Sequence, residues 1–176
     1  MTYRALLAAA ASLALLAPPL AQAQTSVQAA LDAVPEKMPF DVPYGAPISL
    51  DQARAVIAAG VAECAKRGWK MNLAVLDSGA NLVAFERMDG AQLSSIEIAQ
   101  HKARTAVTYR RETKVFETNV AVGGLVNQLT LDGVIASRGG IPLVQNGKLI
   151  GAVGSSGGAG GQDEVCAKAA AAVINK

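Results

Sequence analysis

The sequence has few of the side chains on which most metal and nucleophile sites depend. It contains one histidine, His101, and two cysteines, Cys64 and Cys166. Two-histidine zinc sites and Ser-His-Asp triads both need imidazole groups in defined places. A two-histidine zinc site and a triad built on a spare histidine are therefore not expected.

The first 23 residues have the three parts of a secretory signal peptide. Arg4 precedes an apolar run over residues 5–16, and the small-residue pattern Ala21-Gln22-Ala23 follows. The run is shorter than the about 20 apolar residues that cross a bilayer. We predict cleavage after Ala23, a periplasmic or secreted protein, and no membrane span in the mature chain.

A strong charge of one sign is also missing. Removal of residues 1–23 takes away Arg4 and leaves 15 basic against 14 acidic residues. This balance argues against nucleic acid as a partner. The mature chain is long enough to bury the core of one domain, which we place at residues 48–176.

Residues 24–47 form a segment in which proline recurs at every fourth position, at Pro35, Pro39, Pro43 and Pro47. This spacing predicts an extended arm without a regular helix. The arm carries Phe40, Val42 and Tyr44 but cannot form a core of its own. We expect these side chains to pack on a neighbouring subunit of a homo-oligomer, and the alternative is a disordered tether.

Periodicity and turn chemistry predict the remaining elements. Capping boxes at Ser49–Gln52 and Ser94–Glu97 begin two of the helices. The turns at residues 78–81 and at Asn146-Gly147 each join two strands in a hairpin. The predicted helices are residues 50–67, 95–110, 113–119 and 162–174, and the predicted strands are 71–77, 82–87, 133–137, 141–145 and 148–155. This order indicates an α/β (α+β) domain, with about five mostly antiparallel strands flanked by helices.

Cys64 and Cys166 lie on the apolar faces of the first and last predicted helices. Two interpretations remain open, a pair of buried thiols and a disulfide, since export would place the chain where disulfides persist.

One face of the predicted helix 95–110 is the best candidate site. His101, Thr105 and Thr108 are spaced by four and three residues and share that face. Cationic or hydroxyl side chains nearby are Lys102, Arg104 and Tyr109. Such a face suits a flat anionic cofactor, whose iron takes a ligand and whose propionates bind Lys or Arg. The alternative is a solvated helix surface with a chance histidine.

The glycine-rich run at residues 154–161 precedes the last helix but lacks the Lys and Ser/Thr of a phosphate-binding loop. Asp163 and Glu164 add negative charge that repels phosphate. We therefore interpret the run as a hinge, which also permits the close approach of a flat ligand or a subunit.

Six short motifs in this order resemble the GlcG/HbpS-like family over about residues 48–174. They are Asp77-Ser-Gly-Ala-Asn81-Leu, Arg87-Met-Asp-Gly-Ala, Ser95-Ile-Glu-Ile-Ala, Lys102-Ala-Arg-Thr-Ala106-Val, Gly139-Gly-Ile-Pro142-Leu, and Gly151-Ala-Val-Gly-Ser-Ser-Gly with Gln162-Asp-Glu. The resemblance implies a five-stranded antiparallel sheet, a homo-oligomer and haem binding. It also implies Thr105 as an iron-side residue, although the imidazole of His101 is the better iron ligand by chemistry.

Two functions follow as hypotheses. The first is an exported haem-binding protein that stores, buffers or transfers haem, with haem degradation as a further activity. The second, implied by relatives beside glycolate and diol metabolism, is an enzyme or accessory factor for a small oxygenated metabolite. In that case Arg87 would hold a carboxylate, and Asp89 or Tyr109 would move protons.

Overall fold

The computed structural model describes residues 19–38 and 40–175, with side chains from residue 26 onward. Most of the predicted signal peptide, residues 1–18, lies outside the described residues. The chain divides into two compact units, residues 1–35 and residues 36–176. Within the described part of the chain, no helix is long and apolar enough to cross a membrane.

Helix α1, Pro19–Asp32, is the one element described in the first unit. It covers the beginning of the segment that we predicted to be an extended arm, and that prediction is wrong for residues 24–32. The first proline of the spaced series is Pro35, so none of them interrupts the helix.

The second unit contains a four-stranded antiparallel sheet in the order β2-β1-β4-β3. The strands are β1 at Asn72–Asp77, β2 at Leu82–Arg87, β3 at Gly140–Gln145 and β4 at Lys148–Ser156. This architecture confirms the predicted α+β domain with a mostly antiparallel sheet.

Both predicted hairpins form, and local chemistry explains each turn. Asp77 Oδ1 accepts hydrogen bonds from the backbone N–H groups of Gly79 at 2.8 Å and Asn81 at 2.9 Å, which closes the first turn. Asn146 and Gly147 have φ angles of 52° and 73°. Positive φ at both positions is what a type I′ turn requires.

The fifth strand, predicted at residues 133–137, does not form, so that prediction is wrong. Gly133 adopts a left-handed conformation with φ of 68°. The backbone N–H of Ile135 donates to Thr105 Oγ1 at 3.0 Å instead of to a neighbouring strand. The segment is a loop held against a helix.

Four α-helices and one short 3₁₀ helix complete the second unit. They are α2 at Leu50–Lys66, α3 at Ser95–Thr108, α4 at Thr113–Ala121, the 3₁₀ helix at Val126–Thr130 and α5 at Gly160–Ala171. Ser49 and Gln52 form the predicted capping box of α2. The predicted box at Ser94 is wrong, because Ser94 is itself helical, with φ of −59° and ψ of −28°, and makes no side-chain cap.

The sheet separates α3 from α2 and α5. A large apolar core joins α2 and α5 to the sheet, whereas small residues such as Ala99 and Ala103 of α3 pack against the strands. A Cβ added to Gly154 of β4 would collide with the backbone carbonyl of Ala99. Glycine at this position therefore lets α3 lie directly on the sheet.

Residues 40–48 pack on their own domain. Tyr44 donates its hydroxyl hydrogen bond to the carbonyls of Val107, at 3.1 Å, and Thr108, at 2.9 Å. Gly45 N–H donates to the Leu149 carbonyl at 2.8 Å. These contacts within the chain leave Tyr44 49% exposed, and packing of this segment on a neighbouring subunit stays a prediction.

Cys64 of α2 and Cys166 of α5 form a disulfide with a Cα–Cα distance of 5.6 Å. Both residues are fully buried. The sequence left open whether the two cysteines are buried thiols or a disulfide, and in the structure they are bridged. On the chain-entropy model, closing a loop of 102 residues contributes about 4 to 5 kcal/mol to stability.

Candidate functional site

The solvent-facing side of α3 carries the single imidazole of the chain. Glu97, His101, Arg104 and Thr108 are exposed there and follow one another at intervals of four, three and four residues. This spacing aligns them along the helix. We call these four residues the outer stripe.

Thr105 lies beside the outer stripe but is fully buried. Its hydroxyl donates to the Gly133 carbonyl at 2.9 Å and accepts from the Ile135 N–H at 3.0 Å. The loop that contains Gly133 and Ile135, which we predicted to be a strand, therefore covers Thr105. Its hydroxyl fastens that loop to α3 and does not face solvent with His101.

Two further hydroxyls of the predicted site are also engaged with the backbone. Tyr109 donates to the Asp132 carbonyl at 2.7 Å and so holds the same loop at a second point. Thr108 donates to the Arg104 carbonyl one turn earlier, at 2.8 Å. We name residues 131–135, which Thr105 and Tyr109 hold against α3, the covering loop.

Lys102 points away from the outer stripe into the protein. Its Nζ lies 2.6 Å from Asp163 Oδ2, and the two side chains are 1% and 3% exposed. Asp163 Oδ1 also accepts from the Gly158 N–H at 3.0 Å. Burial raises the pKa of Asp163 and outweighs the opposing attraction of Lys102. Lys102 is thus committed to an internal ion pair.

The partner of Lys102 was missed in the sequence, because Asp163 was interpreted as a negative charge that repels phosphate. The two residues are 61 positions apart, so no local spacing links them. The available signal was indirect. A lysine between core alanines Ala99, Ala103 and Ala106 needs a buried partner.

A second group of charges joins α4 and α5 around Glu164. Its carboxylate lies 2.8 Å from Lys168, 3.2 Å from Lys114 and 3.3 Å from Arg138. Burial raises the pKa of Glu164, but hydrogen bonds from Lys168 and Lys114 outweigh it, so the pKa is lowered overall. These cations are already neutralised within the protein.

Arg87 and Asp89 lie elsewhere in the fold. Arg87 ends β2, an edge strand of the sheet, and both residues are exposed. The structure describes no hydrogen bond or ion pair between them and the residues of α3. The described residues also contain no cluster of three His, Cys, Asp or Glu side chains that could hold a metal ion.

The predicted site residues other than Arg87 therefore separate into two groups. His101, Arg104 and Thr108 face solvent on the outer stripe, whereas Lys102, Thr105 and Tyr109 bind other parts of the fold. The arrangement offers one exposed nitrogen ligand beside a guanidinium on a rigid helix.

Residues 48–172 match a protein-family model described as haem degrading protein HbpS-like. The protein GlcG of Escherichia coli strain K12 is 45% identical over 109 residues, which cover 62% of this chain and 81% of GlcG. The chain belongs to the HbpS-like family, as its motifs predicted.

Solved structures agree with this assignment. The crystal structure of HbpS superimposes on this chain with a TM-score of 0.69. The two are 27% identical, and the match covers 81% of this chain and 100% of HbpS. The crystal structure of the PduOC:haem complex has a TM-score of 0.66 at 29% identity, over 73% of this chain and 96% of PduOC.

The buried position of Lys102 predicts how variants of the ion pair change the free energy of unfolding. Lys102→Met should lower the free energy of unfolding by about 3 to 5 kcal/mol, because it leaves the Asp163 carboxylate buried without a cation. The double variant Lys102→Met/Asp163→Leu should recover part of that loss, since no charge remains buried. Urea unfolding followed by circular dichroism measures both.

The matched control is Lys66→Met, which removes a lysine whose side chain is 73% exposed. Its effect should stay below about 1 kcal/mol. A Lys102→Met variant as stable as this control would show that the pair has no such role.

Proposed function

We propose that this protein is a haem-binding protein that stores, buffers or transfers haem. The observation that carries the proposal is the exposed imidazole of His101 on the outer stripe. Membership of the HbpS-like family and the haem complex of the relative PduOC support it.

The side chains of the outer stripe fit haem in their chemistry. The imidazole of His101 can ligate the iron, and neutral imidazole is a common axial ligand in haem proteins. Arg104 lies one turn further on and can pair with a propionate through charge-assisted hydrogen bonds. Bound haem would supply an iron centre for redox chemistry and for binding small ligands.

The buried residues contribute by position. Thr105 and Tyr109 fix the covering loop beside the outer stripe, and its Leu131 is 42% exposed. An exposed apolar side chain on this loop suits contact with the apolar face of a porphyrin. Because Thr105 is held by two hydrogen bonds, we assign the iron to His101 and not to Thr105.

We propose further that the chain is exported to the periplasm or secreted. The signal-like residues 1–23 support this, and so does the disulfide between Cys64 and Cys166, because disulfides persist in oxidising compartments. Fractionation of cells that express the full chain should recover protein beginning at Gln24 outside the cytoplasm. Uncleaved protein confined to the cytoplasm would contradict export.

A homo-oligomer is also part of the proposal. Val122, Val126 and Leu129 are 83%, 63% and 55% exposed within one short stretch around the 3₁₀ helix. Apolar side chains exposed together commonly mark an interface. Light scattering should give a mass of several chains, and a monomer mass would contradict it.

Haemin titration tests the main proposal. We expect a saturable shift of the haemin Soret band when the protein, with its disulfide intact, is present. His101→Ala should change the position of that band, because it removes the iron ligand. Arg104→Ala should keep the band and weaken binding about tenfold, the effect of losing one charge-assisted hydrogen bond.

Glu97→Gln is the matched control, since Glu97 shares the outer stripe and is also exposed on α3. It should keep both the band position and the affinity. A His101→Ala spectrum identical to that of the unmodified protein would place haem elsewhere, and no shift in any variant would end the proposal.

A further inference from the structure

A cavity of about 600 Å³ opens between the start of α4, the edge strand β3 and the chain around Phe40. Its walls are largely apolar and include Val115, Ile141, Pro142 and Val144. Asn175 holds one side in place, because it donates to the Pro142 carbonyl at 2.9 Å and accepts from the Val144 N–H at 2.7 Å. His101 and Arg104 do not line this cavity, so it is separate from the outer stripe.

Two adjacent arginines, Arg110 and Arg111, stand at this cavity. Arg111 places its guanidinium 3.5 Å from the centre of the Phe40 ring and donates from Nε to the Tyr109 carbonyl at 3.2 Å. Arg110 donates to the Val42 carbonyl at 3.2 Å. Both side chains are therefore fixed by neutral groups.

No carboxylate in the described part of the chain forms a salt bridge with either arginine. Glu112 lines the cavity but lies 3.7 Å from Lys168, and Lys114 lies 3.2 Å from Glu164. Burial and the neighbouring Arg110 lower the pKa of Arg111. The two guanidinium charges are thus left without a partner beside an apolar cavity, where an anion would relieve their repulsion.

The backbone at Arg110 gives independent support. Its φ of 55° is left-handed, in the position after α3 where glycine is usual. An arginine that accepts this disfavoured conformation is consistent with a role for its side chain, since strained backbone concentrates at functional sites.

We propose that this cavity binds a small organic anion with an apolar body, its acid group on Arg110 and Arg111 and its body against the apolar walls. The chemistry recognised is a carboxylate or sulfonate joined to an aromatic or aliphatic skeleton. The site is independent of haem binding at the outer stripe.

The fluorescent dye 8-anilinonaphthalene-1-sulfonate tests this proposal, with the uncharged N-phenyl-1-naphthylamine as its neutral counterpart. The folded protein, with its disulfide intact, should bind the anionic dye saturably. It should bind the neutral dye at least tenfold more weakly. Equal binding of the two dyes would show a merely apolar site and overturn the proposal.

Arg110→Gly separates the ligand role from stability. Glycine suits the left-handed position, so the thermal midpoint should hold or rise, while the affinity for the anionic dye should fall about tenfold or more. Val115→Trp should fill the cavity and abolish binding of the dye. Near-UV circular dichroism confirms that both variants keep the native packing.

Two controls assign the signal to the cavity. Lys66→Ala removes an exposed positive charge from α2 and should leave dye affinity unchanged. His101→Ala should also bind the anionic dye as the unmodified protein does. Full affinity in Arg110→Gly, or loss of dye binding in His101→Ala, would overturn the assignment.

Discussion

The buried ion pair between Lys102 and Asp163 is the interaction on which the arrangement of the domain depends. It connects α3, on one face of the sheet, to the first turn of α5, on the other face, at a distance of 2.6 Å. Gly139 makes room for it, because a Cβ there would lie 2.9 Å from the Asp163 Cβ and 3.3 Å from the Lys102 Nζ. Two charges withdrawn from water stabilise a fold only when they are held together, so the pair fixes how α3 can sit.

The position of α3 then decides which side chains can meet a ligand. Once Lys102 faces inward, the helical repeat turns Thr105 toward the covering loop and leaves His101 and Arg104 in solvent. The hydroxyl of Thr105 pairs with the Gly133 carbonyl and the Ile135 N–H, and so holds the covering loop against α3. A motif that looks like a ligand set in the sequence is thus divided between holding the fold and presenting a site.

Elements that depend on neighbouring residues were predictable from the sequence. The capping box at Ser49 and the Asn146-Gly147 turn are local, and both form as predicted. Residues 133–137, which overlap the covering loop, were predicted as a strand because their apolar residues resemble a short strand. The hydrogen-bond partner of Ile135, Thr105, lies 30 positions away. The choice between a disulfide and free thiols likewise depended on the approach of α2 and α5, which no local pattern encodes.

We propose that Thr105 has a structural role and that His101 binds the ligand. Hydrogen–deuterium exchange at the Ile135 amide, which donates to Thr105 Oγ1 at 3.0 Å, tests it most directly. If Thr105 stays in its structural role, this amide should be equally protected in the free and the haemin-loaded protein. Faster exchange at Ile135 on haemin binding would mean that the hydroxyl leaves the covering loop to meet the ligand, and it would contradict the structural role of Thr105.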